Sequence, residues 1–398
     1  MRGIVLDLFA GPGGWGHALH VLGVRDVGLE WDEWACKTRS AAGQLTIRTD
    51  VAMYPAWIFA GRVKGFIASP PCQAWSMAGK RLGLVDQPLV HQAVTDLAIG
   101  RDSRDRLLAA CRDPRSLLAA EPMRYLHALH QMGEPEWIAM EEVPDVLPLW
   151  QQYAAILRGW GFSVWTGIIN AADYGVPQTR KRAILLASRV RTAAPPEPTH
   201  AHLPEPESLF GPGRHRWVSM AEALGWGATD RPVPTICAGG GPGGGPEPFP
   251  SGARKTLTDA RDRGAWKRHP ASTQVPPSPA ANSQWAWSLR SNNQANATVR
   301  RADEPAGTLF FGHRANECTW VAAPADATGT GGPAPEPIRI TATEAGVLQS
   351  FPADYPWQGN KGQTFSQIGN AVPPRLAAHL LAPHLGRTLS RDDFTLAA

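Results

Sequence analysis

Short apolar runs alternate with glycine-rich, acidic or proline-containing turns along the first half of the chain. A segment with helical apolar periodicity over residues 15–22 follows the first run. The runs have the length of β-strands and lie at residues 3–9, 26–29, 45–47, 65–68 and 137–140. Because strands that alternate with helices form βαβ units, this pattern predicts an α/β fold with a mostly parallel sheet.

Similar patterns continue toward the C-terminus. Further strands are predicted at 163–169 and 183–187, and helices at 122–132, 151–159, 342–349 and 375–385. The polar region 78–121 is predicted as loop with a helix start. It contains a near-duplication, in which Arg101-Asp102-Ser103-Arg104 and Arg112-Asp113-Pro114-Arg115 each precede a Leu-Leu-Ala-Ala sequence. We interpret the first copy as an insertion in a surface loop.

Composition changes near residue 190, where the alternation of strands and helices stops. Prolines and glycines are frequent from 192 to 337. We therefore predict a first domain at 1–189, a second, irregular domain at 190–337 and a return of regular structure at 338–398. Tryptophans and arginines interleave in the second domain, which is typical either of a nucleic-acid face or of a small core with a solvated rim.

Overall composition narrows the class of protein. The 398 residues are 43% hydrophobic, enough for a full core, and their formal net charge of +4 favours nucleic-acid partners only weakly. The five cysteines are odd in number and include no C-x-x-C pair, which argues against a disulfide framework and a structural zinc site. No basic-then-apolar leader and no membrane-length apolar run occurs, so we expect a cytoplasmic protein without a metal site or membrane contact.

The sequence Ser69-Pro70-Pro71-Cys72-Gln73 follows the predicted strand at 65–68. Consecutive prolines fix φ and exclude helix, so the chain turns sharply and places Cys72 at the carboxyl edge of the sheet. Open α/β folds bind their ligands at this edge. Cys72 is therefore a candidate nucleophile, and the alternative is a small buried side chain, as most unpaired cysteines are.

The turn after the first strand, Ala10-Gly11-Pro12-Gly13-Gly14, is rich in glycine and leads into the predicted helix at 15–22. Such a turn lets the backbone approach a ligand closely and leaves helix N–H groups available to bind it. Glu30 follows the second strand, where a nucleotide ribose presents its hydroxyls in such folds. Together they predict a nucleoside-containing cofactor, with a solvated loop acid as the alternative for Glu30.

Two carboxylates and two arginines extend the candidate site. Glu141 and Glu142 end the strand at 137–140, and since neighbouring strand residues point to opposite sides, at most one of them faces the cleft. Arg180 and Arg182 share one face of an extended segment. They suit an anionic or carbonyl-bearing substrate, or else form a solvated edge that prevents sheet pairing.

The order of these motifs resembles that of the DNA cytosine-5 methyltransferase family of bacterial and phage type. The matching sequences are Asp7 to Gly14, Glu30-Trp31, Asp50, Pro70 to Gln73, Met140 to Val143, Gln178-x-Arg180-x-Arg182, Arg339 to Pro352 and Gly369 to Pro374. The resemblance implies an S-adenosylmethionine-dependent methyltransferase fold, which is a Rossmann-like α/β sheet with an inserted, irregular target-recognition domain. It also implies that the C-terminal helix packs on the first domain.

The resemblance implies roles for the candidate site residues. Cys72 would add to C6 of a cytosine flipped out of duplex DNA, so that C5 can accept a methyl group. Glu141 would share a proton with ring N3 and bond the exocyclic amine, and Arg182 would hold O2. Arg180 would hold a backbone phosphate or brace the cysteine loop, and the segment 76–83 would close over the base.

The implied cofactor is S-adenosylmethionine, and the resemblance assigns its parts to different sides of one pocket. The implied contacts are Phe9, Gly11, Gly13 and Gly14 for the methionine and ribose, Glu30 for the ribose hydroxyls, Trp31 and Asp50 for the adenine, and Leu118 and Asn370 for the pocket wall. The expected partner is double-stranded DNA, with a cognate restriction endonuclease as a candidate second partner. We expect a monomer in the cytoplasm of a bacterial cell or a phage-infected host.

Two other functions stay open at this point. Methylation of cytosine in RNA uses the same motifs, although the large second domain favours DNA. A binding or regulatory paralogue would keep the fold without catalysis, although intact Cys72, Glu141 and Arg182 argue against it. One departure from the family pattern is Glu142, which stands where the family usually has an Asn that supports the cysteine loop. A carboxylate there would weaken that support or require a basic partner.

Overall fold

A seven-stranded sheet with helices on both faces organises the chain. The computed structural model describes residues 3–75, 82–204, 206–208, 213–224, 287–290, 297–309, 318–322, 338–389 and 394. Its first eight strands are β1 (Ile4–Leu8), β2 (Asp26–Glu30), β3 (Leu45–Arg48), β4 (Val63–Ala68), β5 (Trp137–Glu142), β6 (Ser163–Asn170), β7 (Gln178–Thr179) and β8 (Lys181–Ser188). All but β7 form the large sheet, in the order β3-β2-β1-β4-β5-β8-β6.

Strand direction brings the predicted site residues to one edge of this sheet. Strands β1 to β5 are parallel to one another, whereas β8 is antiparallel to β5 and β6. The strand that starts at Lys181 therefore begins where β5 ends, and Glu142 lies opposite Ala183. The connections diverge between β1 and β4, which is where open α/β sheets form a ligand crevice. The α/β prediction is confirmed.

Two apolar cores cover the two faces of the sheet. The helices are α1 (Gly14–Val21), α2 (Glu33–Ala41), α3 (Leu82–Ala98), α4 (Arg104–Leu108), α5 (Glu121–His130), α6 (Leu147–Gly159), α7 (Met220–Ala223), α8 (Ala342–Leu348), α9 (Lys361–Asn370) and α10 (Pro374–Leu385). One core joins Phe66 and Met140 of the sheet to α3, α5 and α6. The other joins Ile67 to Trp15 of α1 and Leu376 of α10. The C-terminal helix thus packs on the first domain, as the resemblance implied. No helix in the described part of the chain is both long and apolar enough to cross a bilayer.

The prediction of loop over most of 78–121 is wrong, because α3 runs from Leu82 to Ala98. Its buried Val90, Ala93, Val94 and Leu97 have the spacing of one helix face. The same helix also buries Asp86 and Asp96, and it continues through Pro88. Inward acids and an internal proline obscure the helical pattern in the sequence. Helix α9 was not predicted either.

Residues of the predicted second domain form short strands in small sheets that are separate from the large one. The strands are β9 (His200–Ala201), β10 (His215–Arg216), β11 (Trp287–Arg290), β12 (Val299–Arg301), β13 (Ala306–Gly307) and β14 (Thr319–Ala322), and they are joined by β15 (Ile338–Arg339) from the start of the predicted C-terminal segment. Four of them form an antiparallel sheet in the order β12-β11-β14-β15. Strand β13 pairs with β7, and Ala306 lies opposite Gln178. The division into domains at 190 and 338 stays a prediction.

Candidate active site

A short 3-10 turn, Cys72–Ala74, follows β4 at the carboxyl edge of the sheet. Its start is anchored to β1 and α1, because the Ser69 N–H donates to a β1 carbonyl at 3.3 Å and Trp15 Nε1 donates to Ser69 Oγ at 2.9 Å. The backbone of Cys72 therefore lies at the edge where the sequence predicts it. The Cys72 side chain and residues 76–81, which form most of the predicted closing segment, lie outside the described residues.

Glu141 and Arg182 form a buried ion pair beside this turn. Arg182 Nε lies 2.8 Å from Glu141 Oε1, and each side chain is 7% exposed. Arg182 Nη1 also donates to the carbonyl of Lys181 at 2.7 Å. Since β5 and β8 are antiparallel, the last residues of one strand meet the first residues of the other. The ion pair fixes the carboxylate and the guanidinium side by side, so that they can bind neighbouring atoms of one planar ligand.

Glu142 has a different environment from Glu141. Its Oε2 accepts a hydrogen bond from the Val143 N–H, and among the described residues its Oε1 has no hydrogen-bond partner. Burial raises the pKa of Glu142 well above the ordinary value, and the neighbouring Glu141 carboxylate raises it further, against the opposing effect of Arg182 and Arg180. No basic side chain is bonded to Glu142 among the described residues, because the nearby Arg182 pairs with Glu141.

Arg180 joins the start of β8 to the C-terminal segment. The residue is buried, and its Nη1 donates to the carbonyl of Gly369 at 3.3 Å. Gly369 begins the Gly-Asn-Ala-Val-Pro-Pro sequence that connects α9 to α10. This contact joins Arg180 to the C-terminal segment, and its two predicted roles, a phosphate contact or bracing of the cysteine loop, both stay predictions.

The Glu30 carboxylate accepts hydrogen bonds from three backbone N–H groups at the end of β2. Its Oε2 accepts from the Gly11 N–H at 2.7 Å, and its Oε1 accepts from the N–H groups of Trp31 and Asp32 at 2.9 and 2.8 Å. Burial raises the pKa of Glu30, and the three backbone hydrogen bonds oppose that shift. Glu30 is thus held against the glycine turn and is not a freely solvated loop acid.

The glycine turn requires its glycines at two positions. Gly13 has a φ of 100° and caps α1 without a side-chain hydrogen bond, so no side chain caps the helix N-terminus there. A Cβ on Gly14 would lie 2.1 Å from the carbonyl oxygen of Val372, so only glycine allows this close approach. Tyr355 OH donates to the carbonyl of Pro12 at 2.6 Å. The C-terminal segment therefore holds the turn from outside.

The structure also describes the other predicted cofactor residues one by one. Phe9 has a φ of 59° and is half-buried, and Trp31 is 70% exposed directly after Glu30. Asp50 Oδ1 accepts from the Ala52 N–H at 2.9 Å, Leu118 is half-buried, and Asn370 is exposed at the end of α9. Free helix donors, a fixed carboxylate and an exposed indole fit the carboxylate, ribose and adenine of S-adenosylmethionine.

Two contacts near the candidate site were missed in the sequence. Arg115 Nη1 donates to Gln73 Oε1 at 2.8 Å, directly after Cys72. The contact from Tyr355 to Pro12 joins residues 343 positions apart. The near-duplicated Asp-x-Arg sequence was a usable signal for Arg115, whereas nothing local to Tyr355 indicates its partner.

Comparisons with known proteins agree with this arrangement. The chain matches the sequence model of the family "C-5 cytosine-specific DNA methylase" over residues 4–90, 105–224 and 258–385. It is 26% identical over 410 residues to the Type II methyltransferase M.DdeI of Desulfomicrobium norvegicum, covering 94% of this chain and 87% of that protein. It is 27% identical over 385 residues to the Type II methyltransferase M.AplI of Arthrospira platensis, covering 94% and 83%.

The fold is similar to that of solved methyltransferases. The crystal structure of the S. pombe Dnmt2 methyltransferase superposes with a TM-score of 0.56 and 14% sequence identity, covering 96% of this chain and 99% of that one. At this identity the likeness supports the fold alone, and it confirms the methyltransferase α/β sheet. The family match extends over most of the chain, including the strands and turns that form the site. The chain therefore belongs to the C-5 cytosine-specific DNA methylase family, and its enzyme class is DNA cytosine-5 methyltransferase.

Proposed function

We propose that this chain is a site-specific DNA methyltransferase that transfers a methyl group from S-adenosylmethionine to C5 of a flipped cytosine through a covalent bond between Cys72 and C6. The observation that carries the proposal is the convergence of the Cys72 turn, Glu141 and Arg182 at one sheet edge, next to the glycine turn. The Glu141–Arg182 ion pair at 2.8 Å is the centre of this arrangement.

The ion pair suits one edge of a cytosine. The exocyclic amine, ring N3 and carbonyl O2 are consecutive groups on that edge, and a carboxylate beside a guanidinium complements them. Glu141 would accept a hydrogen bond from the amine and hold a proton at N3, while Arg182 donates to O2. As the Cys72 thiolate bonds to C6, these contacts would stabilise the charge that develops on the ring. The C5 proton leaves after transfer, and the bond from Cys72 to C6 then breaks.

The cofactor, when bound, supplies an electrophilic methyl group. The chain's part is to bind and orient it. The glycine turn at Gly11, Gly13 and Gly14 would take the methionine end at the α1 N-terminus, with Phe9 beside it, and Glu30 would accept from the ribose hydroxyls. Trp31 and Asp50 would contact the adenine, with Leu118 and Asn370 as the wall. Stacking in a duplex covers both faces of the cytosine ring, so the target base must leave the stack, which requires a few kcal/mol.

Labelled S-adenosylmethionine and duplex DNA test the proposal. We expect label at cytosine C5, and no label with Cys72→Ser. Cys111→Ser is the matched control, because Cys111 is a half-buried free thiol outside the site and this variant should keep activity. Label on adenine, or label on RNA alone, would remove the proposal. Full activity of Cys72→Ser would remove the covalent step.

The predicted second domain at 190–337 would select the DNA sequence, with the C-terminal segment at 338–398 completing the first domain. The relatives are named Type II methyltransferases, and these names support a restriction-modification setting with a cognate endonuclease. We further propose a monomeric enzyme in the cytoplasm of a bacterial or phage-infected cell. Bisulfite sequencing of DNA from cells that express the chain should reveal one short recognition sequence. Methylation without sequence preference would contradict this role.

A further inference from the structure

The two copies of the near-duplication fold into the same small unit, an Asp-x-Arg clip. In the first, Asp102 Oδ1 accepts from the backbone N–H and the Nε of Arg104 at 3.1 and 2.9 Å, and Asp102 Oδ2 accepts from Arg104 Nη2 at 2.7 Å. In the second, Asp113 and Arg115 repeat these three bonds at 3.0, 3.0 and 2.7 Å. The repeated sequence therefore encodes a repeated geometry.

Each clip leaves one guanidinium nitrogen, Nη1, to bind elsewhere, and the two copies aim it at different segments. Arg104 Nη1 donates to the carbonyl of Ala52 at 2.9 Å and to Glu121 Oε1 at 2.8 Å. Arg115 Nη1 donates to Gln73 Oε1 at 2.8 Å. Ala52 lies in the turn that Asp50 begins, and Gln73 follows Cys72. One clip thus reaches the predicted adenine side and the other the predicted base side.

The clip suits bracing because it fixes an otherwise flexible side chain. A guanidinium is planar, so when Nε and Nη2 are held by one carboxylate, the direction of Nη1 is also set. The hydrogen bonds from Arg104 lower the pKa of Asp102, and those from Arg115 lower the pKa of Asp113. Both clips are therefore ionised at neutral pH.

Two other side chains also hold the backbone of the segment after Asp50. Arg124 Nη1 donates to the carbonyl of Tyr54 at 2.9 Å, and Tyr125 OH donates to the carbonyl of Val51 at 2.9 Å. With Arg104, three side chains hold the carbonyls of Val51, Ala52 and Tyr54 in this turn. Among the side-chain hydrogen bonds of the described residues, the turn after Cys72 receives only the one from Arg115, so we expect the second clip to matter most there.

We propose that the duplication supplies one positioning residue to each half of the reaction, Arg104 to the cofactor side and Arg115 to the Cys72 turn. The proposal rests on the proposed function, because it assumes that these two sides hold the cofactor and the cytosine. Neither arginine touches a reacting atom in it. Arg104 would lower the freedom of the Asp50 turn before the cofactor binds, and Arg115 would do the same for the turn that carries Cys72.

Matched variants separate the two roles. Arg104→Gln and Arg115→Gln make the same chemical change in two copies of the same unit. The readouts are the dissociation constant of S-adenosylhomocysteine by calorimetry, and the rate of covalent trapping on a duplex with 5-fluorocytosine at saturating cofactor and DNA. We expect Arg104→Gln to weaken cofactor binding about tenfold, the scale of one charged hydrogen bond, with trapping within about twofold of wild type. We expect Arg115→Gln to slow trapping about tenfold, with cofactor binding within about twofold of wild type.

Further outcomes decide between positioning and simpler roles. Arg115→Lys keeps the positive charge but lacks the planar guanidinium, so it should trap as slowly as Arg115→Gln. Trapping at the wild-type rate would show that the charge alone is needed and would overturn the positioning role. The side chains of Arg104 and Arg115 are 20% and 50% exposed, so both variants should fold. If both variants change the same measurement, or if neither variant changes cofactor affinity or trapping rate, the roles assigned to Arg104 and Arg115 are wrong. Failure of the wild type to trap would overturn the proposed function and the role of Arg115, while the cofactor titration would still test Arg104.

Discussion

Tyr355 gives the sharpest test of how the C-terminal segment holds the glycine turn. Its hydroxyl donates to the carbonyl of Pro12 at 2.6 Å and accepts from Gln44 Nε2 at 3.3 Å. Its ring packs against Phe351 and Trp357, with centroids 4.6 and 4.8 Å away. Tyr355→Phe removes the hydroxyl and leaves these aromatic contacts in place.

The expected magnitude follows from the loss of one buried hydrogen-bond donor. In the Tyr355→Phe variant the Pro12 carbonyl would lose the Tyr355 hydroxyl as its hydrogen-bond partner, and an unsatisfied buried polar group costs about 1–3 kcal/mol. Because Phe fills the same ring volume, no cavity term is added. We expect the free energy of unfolding to fall by this amount. We also expect cofactor affinity to fall about tenfold, since ~1.4 kcal/mol corresponds to a factor of ten.

Chemical unfolding and titration with S-adenosylhomocysteine measure the two effects. Tyr174→Phe is the matched control, because the buried Tyr174 donates to the carbonyl of Pro196 at 2.8 Å, away from the glycine turn. It should lose stability while keeping cofactor affinity. Equal cofactor affinities for Tyr355→Phe and wild type would refute the reasoning, because the turn would then not depend on the hydroxyl.

Three further variants test other parts of the account. Burial and Glu141 raise the pKa of Glu142 in the folded state, so its contribution to stability falls as pH rises above the ordinary pKa of 4.5. The Glu142→Gln variant should therefore become progressively more stable than wild type above that pH. A stability difference that does not change with pH in urea unfolding would contradict this. The buried Asp26 lies 2.6 Å from Arg39 Nη2, and Arg39→Met removes this cation. The free energy of unfolding should fall by about 3–5 kcal/mol in the same assay. A fall of less than about 1 kcal/mol would contradict a structural ion pair. Arg182→Lys should slow methyl transfer about a hundredfold at unchanged cofactor affinity, as for the loss of one oxyanion donor, and an unchanged rate would remove Arg182 from the site.

Much of the fold and the edge that carries the candidate site were predictable from the sequence, because both depend on local patterns. Strand-length apolar runs predict the sheet, and the turns after them place Glu30, Cys72 and Glu141 at the ends of parallel strands. Chain topology then brings such ends together whatever the details of packing.

Helix α3 and the segments that the clips contact could not be predicted in the same way, because their determinants are tertiary. Asp86 is buried in α3, where its carboxylate accepts from the Arg112 and Asp113 N–H groups at 2.8 and 2.9 Å. An acid on the inner face breaks the amphipathic pattern, and only the partner loop explains it. The contact of Arg115 with Gln73 likewise joins residues 42 positions apart.

The central claim is that Cys72 bonds covalently to a cytosine. Wild-type protein incubated with S-adenosylmethionine and a duplex that contains 5-fluorocytosine at the recognition site, followed by peptide mass spectrometry, measures this directly. We expect a denaturation-resistant complex with the nucleotide attached to the peptide that contains Cys72, and no complex for Cys72→Ser. A duplex that is bound but never linked, or a link to any other residue, would contradict it.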